Sequence, residues 1–154
     1  MRIPRYYLDT SVLNFAFEAE AVEYREASLA LLDEVRSGSI EAHISDVVLR
    51  EVSRAPAVRR TQLRGLIGGI QAQVLELTDL AQELAEKYVA EGIIPRRYVD
   101  DARHIAVAVV NGLDCVVSWN FRHLVRPATR RRVNAVSRLL GYPEIDIVSP
   151  EEVL

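Results

Sequence analysis

Short apolar runs that stop at polar residues alternate along this chain with longer stretches of helical period. Residues 3–8 read as a first strand, ending Tyr6-Tyr7-Leu8 and giving out at Asp9. Helical patterns follow over 11–19 and 22–37, with Gly38 as the stop. Glu41-Ala42-His43-Ile44 reads as a second strand, and Ser45 as the N-cap of a helix over 46–54. Pro56 opens a further helix expected to end at Gly68-Gly69. A third strand is expected at 74–77, with Thr78 capping a helix to about Glu91. After the break Gly92-Ile93-Ile94-Pro95, residues 98–111 form an apolar-striped helix. A fourth strand at 115–118, a helix at 128–140 stopped by Gly141, and a last strand at 145–148 complete the pattern, with Ser149-Pro150 opening a final turn.

Strands alternating with helices predict a three-layer α/β/α sandwich around a parallel sheet of four to five strands. The chain has 154 residues and no interdomain linker, so a single domain over 1–154 is expected. In such a sheet the carboxyl ends of all strands share one edge, and ligands bind there.

That edge sorts the acids. Asp9 follows strand one and Asn120 lies just beyond strand four, so both belong to the functional edge. Asp114 and Asp146 begin strands four and five and belong to the opposite edge. Glu51 lies on the apolar stripe of the helix leaving strand two, stacked on Val47 and Val48. A carboxylate there is costly to bury without a cation; pairing with Arg54 on the next turn is the structural alternative. Asp100 and Asp101 open the helix 98–111, where the helix dipole favours acids. Adjacent helical residues point about 100° apart, so the two cannot face one site equally. Asp101 shares the stripe of His104, Ile105 and Ala108, which leaves Asp100 as a cap or a supporting residue. His104 fits a buried, satisfied histidine better than a metal ligand.

Composition narrows the chemistry. A single cysteine, Cys115, and no histidine pair at zinc spacing exclude thiolate and classical zinc sites. Carboxylates with one amide instead favour a hard cation, Mg²⁺ or Mn²⁺. Cys115 in an apolar run reads as a buried thiol of a reducing, cytoplasmic protein. No apolar run reaches the ~20 residues of a membrane span, so no membrane association is expected. Net charge is only −3, yet no acid occurs from Trp119 to Pro143, where Arg122, Arg126, Arg130, Arg131, Arg132 and Arg138 fall. That stretch is either a solvated face or a patch for phosphate or a partner. The sole lysine, Lys87, lies inside a helix, which argues against a phosphate-accepting receiver domain and an aspartyl-nucleophile phosphatase. No P-loop sequence is present.

Four stretches resemble the PIN-domain ribonucleases, which include the VapC-type toxins of toxin–antitoxin pairs. They are Leu8-Asp9-Thr10-Ser11-Val12, the run from Ser45 to Val52, the run from Asp101 to Ala108, and Val117-Ser118-Trp119-Asn120-Phe121-Arg122-His123-Leu124. The resemblance implies a PIN-like fold and places the family's three acids, metal-holding and catalytic, on Asp9, Glu51 and Asp101. Asn120 stands where a fourth acid is common and is carried over as a catalytic position. Thr10, Ser11, Asp100 and His104 are candidate supporting residues; Arg122 and Arg126 are candidate RNA-phosphate contacts. The implied activity is Mg²⁺- or Mn²⁺-dependent endoribonuclease cleavage by an activated water, with Glu51 or Asp101 orienting that water. The products would carry 3′-hydroxyl and 5′-phosphate ends. The implied partners are an RNA substrate, a cognate antitoxin and a second copy in a homodimer, with the apolar faces of 11–35 and 56–68 as candidate docking surfaces. Asn120 supports a rival reading, a PIN-like domain that binds RNA or protein without cutting.

Overall fold

The structure, a computed structural model, describes residues 2–153. Met1 and Leu154, the ends of the expected 1–154 unit, lie outside the described residues. Five strands form one all-parallel sheet: β1 (Arg5–Leu8), β2 (Glu41–Ser45), β3 (Gln73–Leu75), β4 (Cys115–Val117) and β5 (Asp146–Val148). The strand order is β3-β2-β1-β4-β5. From β1 the chain therefore moves outward through β2 and β3, then returns to lay β4 on the other side of β1. The reversal opens a crevice between the carboxyl ends of β1 and β4, the usual ligand position in open α/β sheets.

Eight α-helices are described: α1 (Thr10–Phe15), α2 (Val22–Arg36), α3 (Asp46–Ser53), α4 (Ala57–Ile70), α5 (Asp79–Ala90), α6 (Val99–Val110), α7 (Pro127–Leu139) and α8 (Pro150–Val153). Helices α1 to α4 pack against one another, and α5 packs on α6 and α7, with the sheet between the two sets. The centre of the sheet is dry: Tyr7, Leu8, Ile44, Val116 and Val117 are fully buried, whereas the edge strand β3 is largely exposed. Residues of α6 are almost as dry, from Ala102 and His104 to Val109. Such two-sided burial is what makes parallel strands read as continuous apolar runs.

Local chemistry sets most boundaries. Asp9, Ser45 and Thr78 each cap a helix through a side-chain oxygen that accepts a backbone N–H. Gly38, Gly92 and Gly141 end helices with positive φ. One boundary departs from expectation. Helix α4 runs through Gly68 and Gly69 to Ile70 and is ended by Gln71 in the left-handed region (φ 54°). Leu66 and Ile70 are buried, and burying such side chains contributes about 1.5–3 kcal/mol each. That offsets the ~1 kcal/mol that each interior glycine costs. Helix α1 is shorter than expected and ends at Phe15, where turn bonds from Phe17 and Glu18 take over. Cys115 is buried, and burial pushes its thiol well above the ordinary range. Among the described residues, no helix is long and apolar enough to cross a membrane.

Candidate metal centre

Asp9 ends the central strand and is almost wholly buried. Its Oδ1 accepts the Ser11 N–H (3.0 Å) and the Ser11 hydroxyl, and its Oδ2 accepts the Ser118 hydroxyl at 2.6 Å. Ser11 Oγ in turn accepts the Trp119 N–H at 3.0 Å, and Ser118 Oγ the Asn120 N–H at 2.9 Å. Two serines thus tie the end of β1 to the loop after β4 across the crevice. Burial raises the pKa of Asp9 and the Glu51 charge adds to it, against the opposing pull of His104 and the two serine bonds.

Glu51 reaches the same crevice from α3. Its Oε1 accepts the Thr10 hydroxyl at 3.1 Å and faces His104 Nε2 at 2.6 Å. It forms no ion pair with Arg54; the partner is His104. His104 is buried, and its Nδ1 lies 2.6 Å from the Tyr7 hydroxyl, which lies 2.7 Å from Ser45 Oγ. Burial works against an imidazolium here, but the Glu51 bond and the charges of Glu51, Asp9 and Asp101 outweigh it and raise the pKa. Burial holds Tyr7 well above its ordinary pKa, so it stays a neutral phenol. Both His104 nitrogens are engaged, leaving neither for a metal.

Asp101 is half-buried at the start of α6. Burial first, then the charge of Asp9, pushes its pKa up to about 6. Asp100, one residue earlier, turns aside to Arg103 (2.7 Å) and Arg50 (3.5 Å). Asn120 donates from Nδ2 to Asp101 Oδ2 at 3.1 Å. Its Oδ1 accepts the N–H groups of Arg122 and His123 at 3.1 and 2.9 Å. Two backbone donors fix which end of the amide is oxygen. Asn120 therefore turns its nitrogen, not its oxygen, towards the acids.

The structure thus brings Asp9, Thr10, Ser11, Glu51, Asp101, His104 and Asn120 into one crevice and leaves Asp100 at its side. Asp114 and Asp146 lie at the other edge, paired with Arg2 and Arg130. Sequence reasoning missed Ser118 and Tyr7 and saw Ser45 only as a helix cap. Ser118 had a signal, since it follows β4 and lies two residues before Asn120. Tyr7 had none beyond its place in an apolar strand.

Among the described residues no three His, Cys, Asp or Glu side chains stand arranged to hold a metal ion. The donor chemistry nevertheless fits a hard cation. Three carboxylates share the crevice with no lysine or arginine paired to them among the described residues, and two have pKa values raised by burial and mutual repulsion. Glu51 Oε2 and Asp101 Oδ1 make no hydrogen bond among the described residues. Mg²⁺ keeps several waters and is commonly held by only one or two carboxylates, so a closed cage is not required.

The arginine stretch divides. Arg130 and Arg138 pair with Asp146 and Glu144, and Arg132 donates to the Glu91 and Gly92 carbonyls. Arg122 and Arg126, nearest the crevice, are exposed and in no ion pair among the described residues.

Fold and crevice define an α/β protein with an acidic site at its topological switch point. The chain belongs to the PIN domain family, which it matches over residues 6–125. Comparison with curated proteins finds no match. Among solved structures, it resembles VapBC2 from Rickettsia felis bound to a DNA fragment from their promoter, at 15% identity, 94% coverage of this chain, 98% of that chain and TM-score 0.54. It resembles DNA-bound VapBC from Salmonella typhimurium at 19% identity, 96% and 98% coverage and TM-score 0.54. It also resembles VapBC-5 from Mycobacterium tuberculosis, a member of the VapBC family of toxin-antitoxin systems, at 18% identity, 94% and 98% coverage and TM-score 0.50. At these identities the likeness is one of fold.

Proposed function

We propose that this chain, as a single PIN-like unit over 1–154, is a Mg²⁺- or Mn²⁺-dependent endoribonuclease and the toxin of a toxin–antitoxin pair. The observation that carries the nuclease reading is the crevice itself: Asp9, Glu51 and Asp101 share one edge, and among the described residues none of them is paired with a lysine or arginine. The toxin reading is supported by fold neighbours that come from toxin–antitoxin systems.

Asp9, Glu51 and Asp101 would hold the cation. A bound divalent ion supplies charge neutralisation at the phosphate and acidifies a water. Ser11 and Ser118 keep Asp9 in place, while Thr10 and His104 keep Glu51 in place. Glu51 or Asp101 orients the attacking water and takes its proton. Asn120 holds Asp101 through its amide nitrogen. Arg122 and Arg126 contact backbone phosphates, which gives affinity without base information. A cytoplasmic location, a homodimer and an antitoxin covering the crevice belong to the same reading.

The test is cleavage of RNA by purified protein with Mn²⁺, with EDTA and Asp9→Asn as controls. Inert protein that also takes up no Mn²⁺ in calorimetry would favour the rival, a PIN-like binding domain, to which the donor-facing Asn120 lends support.

A further inference from the structure

Beside the acidic crevice lies an open cavity of about 700 Å³, within the roughly 300–1,000 Å³ typical of small-molecule sites. Thr10 and Glu51 form its inner wall and so join it to the candidate centre. Phe15 and Pro56 supply apolar surface, and Arg54 and Arg59 supply charge. The Phe15 ring is buttressed edge-on by Tyr24 at 5.2 Å and Trp119 at 6.2 Å, so this wall is firm.

The two arginines differ. Arg59 is committed: it pairs with Glu18 at 2.8 Å and lies over the Phe17 ring at 5.9 Å. Arg54 ends α3 one turn beyond Glu51. Its side chain is exposed and has no hydrogen bond or ion pair among the described residues. The partner it would ordinarily take, Glu51, is held by His104 instead. Of the charged groups lining the cavity, Glu18 is paired with Arg59 and Glu51 faces His104, which leaves the Arg54 guanidinium without a partner among the described residues.

A firm aromatic wall, a free guanidinium and an opening onto a phosphodiester-cutting site match one kind of occupant. Single-stranded nucleic acid is held by aromatic faces for bases and basic groups for phosphates. A base can enter a cavity only when it is unpaired and unstacked. We propose that this cavity seats an unpaired nucleotide flanking the cleaved bond, its base against Phe15 and its phosphate on Arg54. The inference rests on the nuclease reading for its substrate and adds the place where a nucleotide beside the cleaved bond is held.

The test needs no cleavage. Nucleoside 5′-monophosphates are titrated into the full chain in EDTA and followed by amide NMR. Saturable shifts are expected at Asn14, Phe15 and Ala55, with inorganic phosphate moving only the signals near Arg54. Arg54→Ala should weaken binding about tenfold, the scale of one charge-assisted contact. Ala55→Leu, which narrows the cavity, should weaken it as well, and neither variant should change Mn²⁺ affinity. Absent shifts, an unchanged Arg54→Ala titration, or phosphate alone reproducing the full pattern overturns the proposal. A cavity whose signals answer only to a protein partner overturns it too. Nucleotide shifts in a protein that cuts nothing uphold the cavity and sink the nuclease reading instead.

Discussion

His104 Nε2 stands 2.6 Å from Glu51 Oε1, and the same ring's Nδ1 stands 2.6 Å from the Tyr7 hydroxyl. A buried histidine therefore links the centre of the sheet to the carboxylate that reaches the crevice from α3. The chain ends at Ser45, whose Oγ also caps α3 by accepting the Val47 N–H. The helix that carries Glu51 and the side chain that orients it are fixed by one network. Such networks are worth most when every member is satisfied.

Removing the imidazole should leave Glu51 and Tyr7 each short of a partner. His104→Ala is expected to lower the unfolding free energy by about 2–4 kcal/mol through unpaired polar groups and a cavity. Tyr7→Phe loses one hydroxyl and should cost about 1–2 kcal/mol. Urea unfolding of both variants checks the order. Equal stabilities would mean that the network does not act as a chain.

The raised acids give a pH signature in the absence of metal. Asp101 has its pKa pushed up to about 6 in the fold, against 3.8 for an ordinary Asp. Between those values the native state binds more protons than the unfolded chain, so this group's contribution to stability falls as pH rises. His104, also raised, contributes stability below its ordinary 6.5 that is lost as pH climbs through its folded value. The two effects have the same sign. In EDTA, stability relative to Asp101→Asn should decline from about pH 4 to pH 6, and saturating Mn²⁺ should abolish the decline. A flat difference curve would contradict the electrostatic picture of the crevice.

Much of this arrangement was legible in the sequence, for specific reasons. Ser45 and Thr78 announce themselves because a cap needs a short oxygen-bearing side chain just before an apolar period, whereas the capping role of Asp9 shows only in the structure. The edge rule separates Asp9 and Asn120 from Asp114 and Asp146 without coordinates, because strand direction alone decides it. The choice between Asp100 and Asp101 follows from helical geometry, and the structure does turn Asp100 towards Arg50 and Arg103. What stayed hidden depends on contacts across the chain. The Tyr7, Ser45 and His104 network joins residues 38 and 97 positions apart. Gly68 and Gly69 read as a stop, and only the burial of Ile70 explains why they are not one. The orientation of the Asn120 amide is set by two backbone N–H groups that no spacing rule reveals.

That amide makes a distinct prediction. Asn120→Asp would replace a donor 3.1 Å from Asp101 with a second carboxylate. In EDTA the variant should be less stable at pH 7 by about 1–3 kcal/mol, since a hydrogen bond becomes a like-charge contact. With Mn²⁺ the added charge should tighten ion binding and recover the loss. Calorimetric Mn²⁺ titration together with thermal unfolding reads both halves. A variant that loses metal affinity would show that the amide nitrogen itself is needed at the centre.

Catalytic dependence separates the three acids from their neighbours. Asp9→Asn and Asp101→Asn should each reduce Mn²⁺-supported RNA cleavage by about a hundredfold or more, the scale of losing charge stabilisation in a dry site. Asp100→Ala should retain most of the rate, because Asp100 is spent on Arg103 and Arg50. The comparison is made by gel analysis of an end-labelled RNA. Full activity in Asp101→Asn would reverse the assignment between the two adjacent acids.

The division of the arginines predicts which of them touch RNA. Arg130 and Arg138 are paired with Asp146 and Glu144 near the far edge of the sheet, whereas Arg122 and Arg126, which follow Asn120, are exposed and pair with no acid among the described residues, Arg126 donating only to the Arg122 carbonyl. Each phosphate contact on a single strand adds about 0.7 to the slope of log affinity against log salt. Replacing Arg122 and Arg126 by alanine should therefore lower that slope by about 1.4, measured by fluorescence anisotropy with a single-stranded RNA in EDTA. Replacing Arg130 and Arg138 should leave it unchanged, because guanidinium groups already neutralised by carboxylates release few phosphate counterions on binding. The paired design guards against a general effect of net charge, since both double variants remove the same two positive charges. If both lower the slope equally, RNA is held by the whole basic stretch rather than by the two arginines at the crevice.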